Sequence, residues 1–293
     1  MTVTPREDYQ SQLSIDTSAI SSSSPGYDTT SVTLGTRGEI VNPEGVRGTR
    51  SRHKERTRDG KRSVGGQIEL YPSAADLLLL VPLITGSAFS TNVSALAEAL
   101  TSFNVCHDKG SAVLTYAGCV VDKATFSCAE GQAVKLVLEL LGLSDTPAAA
   151  GTFPGAVYNN TAPYMYYDAT LTLVSAAREV KNWSITYDNL VEAIYNNHQY
   201  PSYLLSRDRL VTFQSNNPFD TNDLYAQAST GSAASLALSD GSGGHTVTFN
   251  FGVLQFPRED PSTGGRKEIT QDLRGVARMS SSTRESSISI VTN

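Results

Sequence analysis

Three stretches of this 293-residue chain alternate apolar and polar residues with a period of two, and that pattern limits what the chain can become. Residues 132–140 put Val134, Leu136, Leu138 and Leu140 on one side, with Lys135 and Glu139 on the other. Trp183, Ile185 and Tyr187 alternate with Asn182, Ser184 and Thr186; Val247, Phe249 and Phe251 alternate with Thr246, Thr248 and Asn250. A strand sends successive side chains to opposite faces, so each stretch acquires one apolar face only if it is extended. The thirteen Tyr, nine Phe and abundant small polar residues agree with a mainly β fold. The length is enough for one large β domain or two smaller ones, each with its own core.

Other strands are expected at 29–34, 119–128, 209–213, 252–256 and 287–292. A strand over 169–174 turns Leu171 and Leu173 inward, and strands at 102–107 and 112–116 flank a turn at Asp108-Lys109-Gly110. Ser73 followed three residues later by Asp76 is a helix start leading into Leu77–Leu80, and Pro82 is expected to help end it. A second short helix is expected over 94–100. Residues 1–27, rich in serine up to Ser24-Pro25, read as a mobile arm. Residues 146–155 read as a linker or long surface loop. Val121–Phe126 and Val180–Ile185 share a pattern, which suggests an internal duplication with halves near 28–145 and 160–293.

The charge is unevenly spread. From Arg47 to Arg62 there are eight cations (Arg47, Arg50, Arg52, Lys54, Arg56, Arg58, Lys61 and Arg62) against Glu55 and Asp59, a net of +6. The whole chain is −6, so the remainder carries −12. Between Arg50 and Arg58 every second residue is a cation, which an extended backbone would align on one side. Asp59-Gly60 follows, a strong hairpin signal. With that turn, Arg58 faces Lys61, Arg56 faces Ser63, Arg52 faces Gln67 and Arg50 faces Glu69, while Ile68 and Leu70 enter the core. Such an arm is either a solvated surface loop or a docking element for an acidic surface. A basic arm on an acidic body suits self-association, because every copy carries both halves of the contact. Proteins that hold DNA tightly are basic across the domain, and this chain is not.

Enzymatic chemistry finds no foothold in the residue patterns. There is no Gly-x-Ser-x-Gly elbow, His-Glu-x-x-His pair or phosphate loop, and Gly241–Gly244 precede a strand rather than a helix. Cys106, Cys119 and Cys128 have no zinc-type spacing, and Cys106 and His107, as strand neighbours, point apart. No cofactor or metal site is expected, and Glu259-Asp260 reads as a solvated turn. Tyr164, Tyr166, Tyr167, Tyr195, Tyr200 and Tyr203 suit either sugar stacking or packing in a core or between subunits. The first residues carry no basic segment followed by an apolar one, and the apolar run 77–84 is interrupted by Pro82 and too short for a bilayer. A soluble product made in a cytoplasm, with no membrane partner, is the expectation.

The order of these pieces resembles the tail tube proteins of tailed bacteriophages. The likeness rests on Arg62–Leu70 leading into Asp76-Leu77-Leu78, on Leu114–Asp122 with Phe126 and Val134–Leu140, on Val180–Asn189, and on Phe251–Gln255 with Glu268-Ile269 and Gly275–Ala277. The resemblance implies a tail-tube-type β-sandwich or half-barrel, flanked by a short α-helix and a long charged β-hairpin arm. It implies a structural virion protein, not an enzyme, whose copies form a homo-hexameric ring, or a trimeric one if the halves are duplicates. Rings stack into a tube that serves genome ejection, and the eight cations above become inter-ring contacts. It further implies terminator, tape measure and distal tail proteins as partners, DNA passing through the lumen without specific binding, assembly in the host cytoplasm and a place in the virion tail. The first 27 residues are then an inter-ring strap or disorder. A glycan- or cell-surface-binding β-sandwich module is the alternative.

Overall fold

The computed structural model describes residues 11–44, 51, 54–219, 227–228, 230–240, 245–258, 268–280 and 284–292. Within them the protein is mainly β, as the alternation requires. Seven antiparallel strands make one layer. In spatial order they are Gly35–Val41, Arg58–Leu70, Lys135–Gly142, Ala112–Ala129, Asn182–Asp188, Leu210–Pro218 and Thr270–Arg278. A second layer runs Ala176–Arg178, Ala169–Leu173, Ser232–Ser239, His245–Gln255, Ser286–Thr292 and Val93–Ala95. The layers join at a corner where Val253, Leu254 and Gln255 pair with Arg278, Ala277 and Val276. They fold over one another there as a sandwich, not a closed barrel.

The alternating residues meet between the layers. Phe126 stands edge-on to Phe249 at 4.9 Å between ring centroids, Phe213 packs on Phe251 at 5.6 Å, and the Tyr187 hydroxyl lies 3.0 Å from Ser286 Oγ. Leu136, Leu171, Leu173, Ile185, Leu236 and Val247 are fully buried. Each such side chain stabilises the fold by about 1.5–3 kcal/mol relative to exposure, so this interior outweighs any local preference along the chain.

The helix runs Ala74–Thr85 and closes one side of the sandwich. Ser73 caps it as expected: its side chain accepts from the Asp76 N–H, while Asp76 Oδ2 accepts from the Ser73 N–H at 2.9 Å. Pro82 does not end it. The proline sits inside the last turn, and the helix stops at Gly86, whose φ of 79° is reached without the penalty a Cβ would bring. The expected second helix over 94–100 is absent: Val93–Ala95 pairs with the Ser286–Thr292 strand, and buried Ser94 bonds Thr85 Oγ1 at 2.6 Å. Strand pairing at the sheet margin overrides the local helical pattern.

Residues 112–116 and 119–128 are one strand, Ala112–Ala129. It bends at Gly118, whose φ is 61° and where a Cβ would lie 2.7 Å from Leu143 Cδ1. The bend carries its first half out of the sandwich to pair with Phe103–Asp108 on one edge and Ser144–Ala149 on the other. The expected linker at 146–155 therefore starts as an edge strand. The expected mobile arm at 1–27 is also structured where described: Gln12–Asp16 pairs with Phe103–Asp108, burying Leu13 and Ile15, and Tyr27 is buried as well. Its serines supply hydrogen bonds, with Ser24 Oγ donating to Asp16 Oδ2 at 2.7 Å and Ser14 Oγ to the Pro25 carbonyl at 2.8 Å. Residues 1–10 lie outside the described residues.

Candidate assembly surface

The charged arm exists, with a different partner strand. Asp59-Gly60 is not a turn, because the Arg58–Leu70 strand runs straight through it. Its partner is Gly35–Val41, with Val41 opposite Arg58, Ile40 opposite Asp59 and Gly38 opposite Arg62. Two steps on one strand oppose three on the other, so the Asp59-Gly60 signal is absorbed in a bulge. At Gly60 an added Cβ would lie 2.9 Å from Val41 Cγ2; the glycine allows close approach of the strands. The sequence-based register fails with the turn. Glu69 stands opposite Ser31 and Val137 and is bridged by Lys135 at 2.7 Å, whereas Ile68 and Leu70 are buried as expected.

Of the eight cations, Arg47, Arg50 and Arg52 lie outside the described residues. Lys54 and Arg56 occupy a 3₁₀ turn, Lys54–Arg56, so the expected alternating extended run does not hold there. Arg58 opens the long strand. These three, and Arg37 on the partner strand, make no ion pair with another described residue; Lys54, Arg58 and Arg37 are exposed. Exposed Ile40 and Val41 continue the arm's outer face.

Lys61 and Arg62 behave differently. A separate hairpin, Val191–Ile194 with Tyr203–Ser206, reaches over the base of the arm. It is rooted in the sandwich: buried Asn189 donates Nδ2 to the Val121 carbonyl at 3.0 Å, and Asp122 Oδ1 accepts the Val191 N–H at 2.7 Å. Burial holds the Asp122 carboxyl above the ordinary range, with the Val191 bond opposing it. At the hairpin tip, the Arg62 N–H donates to the Gln199 carbonyl at 2.8 Å and Gln199 Nε2 donates to the Asp59 carbonyl at 3.2 Å. These bonds cover an arm edge that the Lys135–Gly142 strand, starting its pairing at Val64, leaves open. Lys61 Nζ lies 4.9 Å from the Tyr195 ring centroid, and Arg62 lies 5.7 Å from that of Tyr200. Arg62 also donates to the Tyr200 hydroxyl at 3.3 Å and bridges Asp59 at 2.9 Å, and the Tyr200 hydroxyl donates to Asp145 Oδ1 at 2.6 Å. Both bonds, Tyr200 first, raise the Arg62 pKa.

Sequence reasoning placed Tyr195 and Tyr200 among sugar-stacking or packing candidates and did not connect them to the arm. No local signal joins them, since 138 residues separate Arg62 from Tyr200. Tyr164 is buried, and its hydroxyl donates to the His245 carbonyl at 3.1 Å; Tyr166, Tyr167 and Tyr203 are exposed.

The cysteines and His107 are buried. Burial pushes the thiol of Cys119 to about 12 and that of Cys128 to about 11, and raises that of Cys106. His107 is buried with Nε2 2.8 Å from Ser11 Oγ, and desolvation, aided by Lys109, lowers its pKa to about 4. Among the described residues no three His, Cys, Asp or Glu side chains gather as a metal site would require, and no helix is long and apolar enough to cross a membrane. Residues 241–244 and 259–260 lie outside the described residues.

The family described as phage tail tube protein matches residues 9–277, nearly the whole chain. No curated protein matches it.

Proposed function

The chain belongs to the phage tail tube protein family, and we propose that it forms rings, six copies to a ring, that stack through the basic arm into the conduit for genome ejection. Membership gives the coarser part: a structural protein of the virion tail that self-assembles into a tube and meets other tail proteins. The finer reading is supported by the arm. A two-stranded ribbon and the turn beside it carry Arg37, Lys54, Arg56 and Arg58 with no ion-pair partner among the described residues, while the ribbon's base is hydrogen-bonded to the tip of the 191–206 hairpin. A clamped base, with cations beyond it that have no ion-pair partner among the described residues, suits a contact completed by another copy.

A contact that closes by rotation makes a ring, whereas the axial contact repeats without closing and produces a filament. The −12 left outside the arm suits a lumen through which a polyanion slides without sticking. A glycan-binding role loses support, because Tyr164 is in the core and Tyr195 and Tyr200 are occupied by the arm. Electron micrographs of the purified protein at high concentration test the proposal. Rings and tubes are expected, with end-on averages that count six copies (three would correct the symmetry alone), and solitary particles at every concentration would overturn it.

A further inference from the structure

At the root of the arm, on the side away from its tip, a small cavity of about 240 Å³ is walled by Tyr71 and Tyr158 and edged by Asp28, Asp76, Asn159 and Thr30. No lysine or arginine lines it. Both tyrosines are partly exposed, at 43 % and 37 %. The walls are preorganised. The Tyr158 ring lies over the bare Cα of Gly26, where a Cβ would come within 2.8 Å of it. Asp76 is fixed by the helix cap and by Asn159 Nδ2, and Asn159 Oδ1 accepts from Ser73 Oγ at 3.2 Å. Asp28 is exposed and makes no bond with another described residue.

The ingredients repeat those that hold Lys61 and Arg62 at the arm's base, namely a tyrosine ring with a carboxylate close by. There the cations come from the same chain. At the cavity the same chemistry is present with no lysine or arginine among its described lining residues, and Arg58 of the same chain cannot reach it. Arg58 begins the strand that ends at Leu70, one residue before Tyr71, so at ~3.3 Å per residue the two ends lie about 40 Å apart. One end of this strand offers cations that make no ion pair with another described residue, and the other an acidic, aromatic cavity with no lysine or arginine among its described lining. That arrangement is head-to-tail.

We propose that the cavity bounded by Tyr71, Tyr158, Asp28 and Asp76 receives the Arg58 side chain of a second copy's arm, with Lys54 beside it. This inference rests on the stacking reading above and names its receptor. A guanidinium between two tyrosine faces with two carboxylates gains ring and charge-assisted contacts together, in a recess that limits solvent screening. The contact is heterologous: tip meets root, so each copy both gives and receives, and the series continues along one axis.

The test uses the full chain carrying Arg58→Cys and Tyr71→Cys together. Two cysteines about 40 Å apart in one chain cannot be joined by a short thiol cross-linker, so any bridge between them joins two copies. The native thiols are all buried. Treatment of assembled tubes with a bismaleimide of about 10 Å span, longer than a disulfide's reach, is expected to give a ladder of covalent oligomers, which either single variant does not give. Separately, Asp28→Lys is expected to raise the concentration needed for tube formation about tenfold, and adding Arg58→Glu to recover most of that loss. Tubes that form normally but yield no ladder, with Asp28→Lys assembling at the wild-type concentration, would overturn the cavity while leaving the arm's role intact. A wild-type protein that forms no tube would overturn both. Circular dichroism of each variant confirms that a loss of assembly is not a loss of fold.

Discussion

The sandwich interior and the charged arm are built by opposite rules. In the interior large side chains meet partners inside the chain: Phe126 meets Phe249, Phe213 meets Phe251, and Tyr187 finds Ser286 for its one polar atom. In the arm, partnered cations are seen at the base, where Tyr195, Tyr200 and Gln199 hold Lys61 and Arg62. Beyond that point Arg37, Lys54 and Arg58 face solvent. The difference separates residues that stabilise one copy from residues that the proposed stacking would pair with another copy.

Breaking the interior sets the largest effect. Phe249→Ala removes a ring packed on Phe126 and is expected to cost about 3–5 kcal/mol, read as a lower urea midpoint, with assembly lost because the fold is lost. Next comes a buried proton site. His107 has its folded pKa depressed from 6.5 to about 4, so its neutral form is favoured by the fold and the unfolded chain binds the proton more readily. Its contribution is whole above pH 6.5 and is lost as pH falls toward 4, by up to ~3 kcal/mol. Thermal melts should therefore drop between pH 7 and pH 4.5, and His107→Gln should flatten that slope. If the slope is unchanged, the titrating group is another one.

A smaller effect sharpens the boundary between the two regions. Tyr200→Phe removes the hydroxyl shared by Arg62 and Asp145. Global stability should change by less than ~1 kcal/mol, while amide exchange at Arg62 should speed by about tenfold as the clamp loosens. If exchange also rises in the 182–188 strand, the clamp and the sandwich are one cooperative unit and the contrast weakens.

How much of this was legible in the sequence follows the same division. Alternation located Leu136, Leu138, Ile185, Tyr187, Phe249 and Phe251 in the core, because a period-two pattern with one buried face has one solution. Ser73 and Asp76 located the helix start, since a capping box is a local device. Local devices misled wherever a long-range partner outbid them. Asp59-Gly60 promised a turn, yet the Gly35–Val41 strand was available to extend the ladder and took the glycine into a bulge. Ser-rich residues 1–27 looked mobile, although Leu13 and Ile15 had an edge to pair with at Phe103–Asp108. The candidate site was half legible: the cations and their charge imbalance were plain, but not the hairpin that holds two of them nor the cavity at the arm's root. Those depend on residues far apart in the chain, and no spacing announces them.

The smallest effect on stability should accompany the largest effect on assembly. Replacing Arg52, Lys54, Arg56 and Arg58 with Ser is expected to shift unfolding by less than ~0.5 kcal/mol, since Lys54, Arg56 and Arg58 make no ion pair with another described residue. Sedimentation velocity of this variant beside the wild type, at equal concentration in low salt and in 0.5 M salt (roughly a 4 Å screening length), measures the arm's role most directly. The account predicts fast-sedimenting tubes for the wild type at low salt, shorter species at high salt, and single rings or monomers for the variant in both. Full-length tubes from the folded variant in low salt would contradict it.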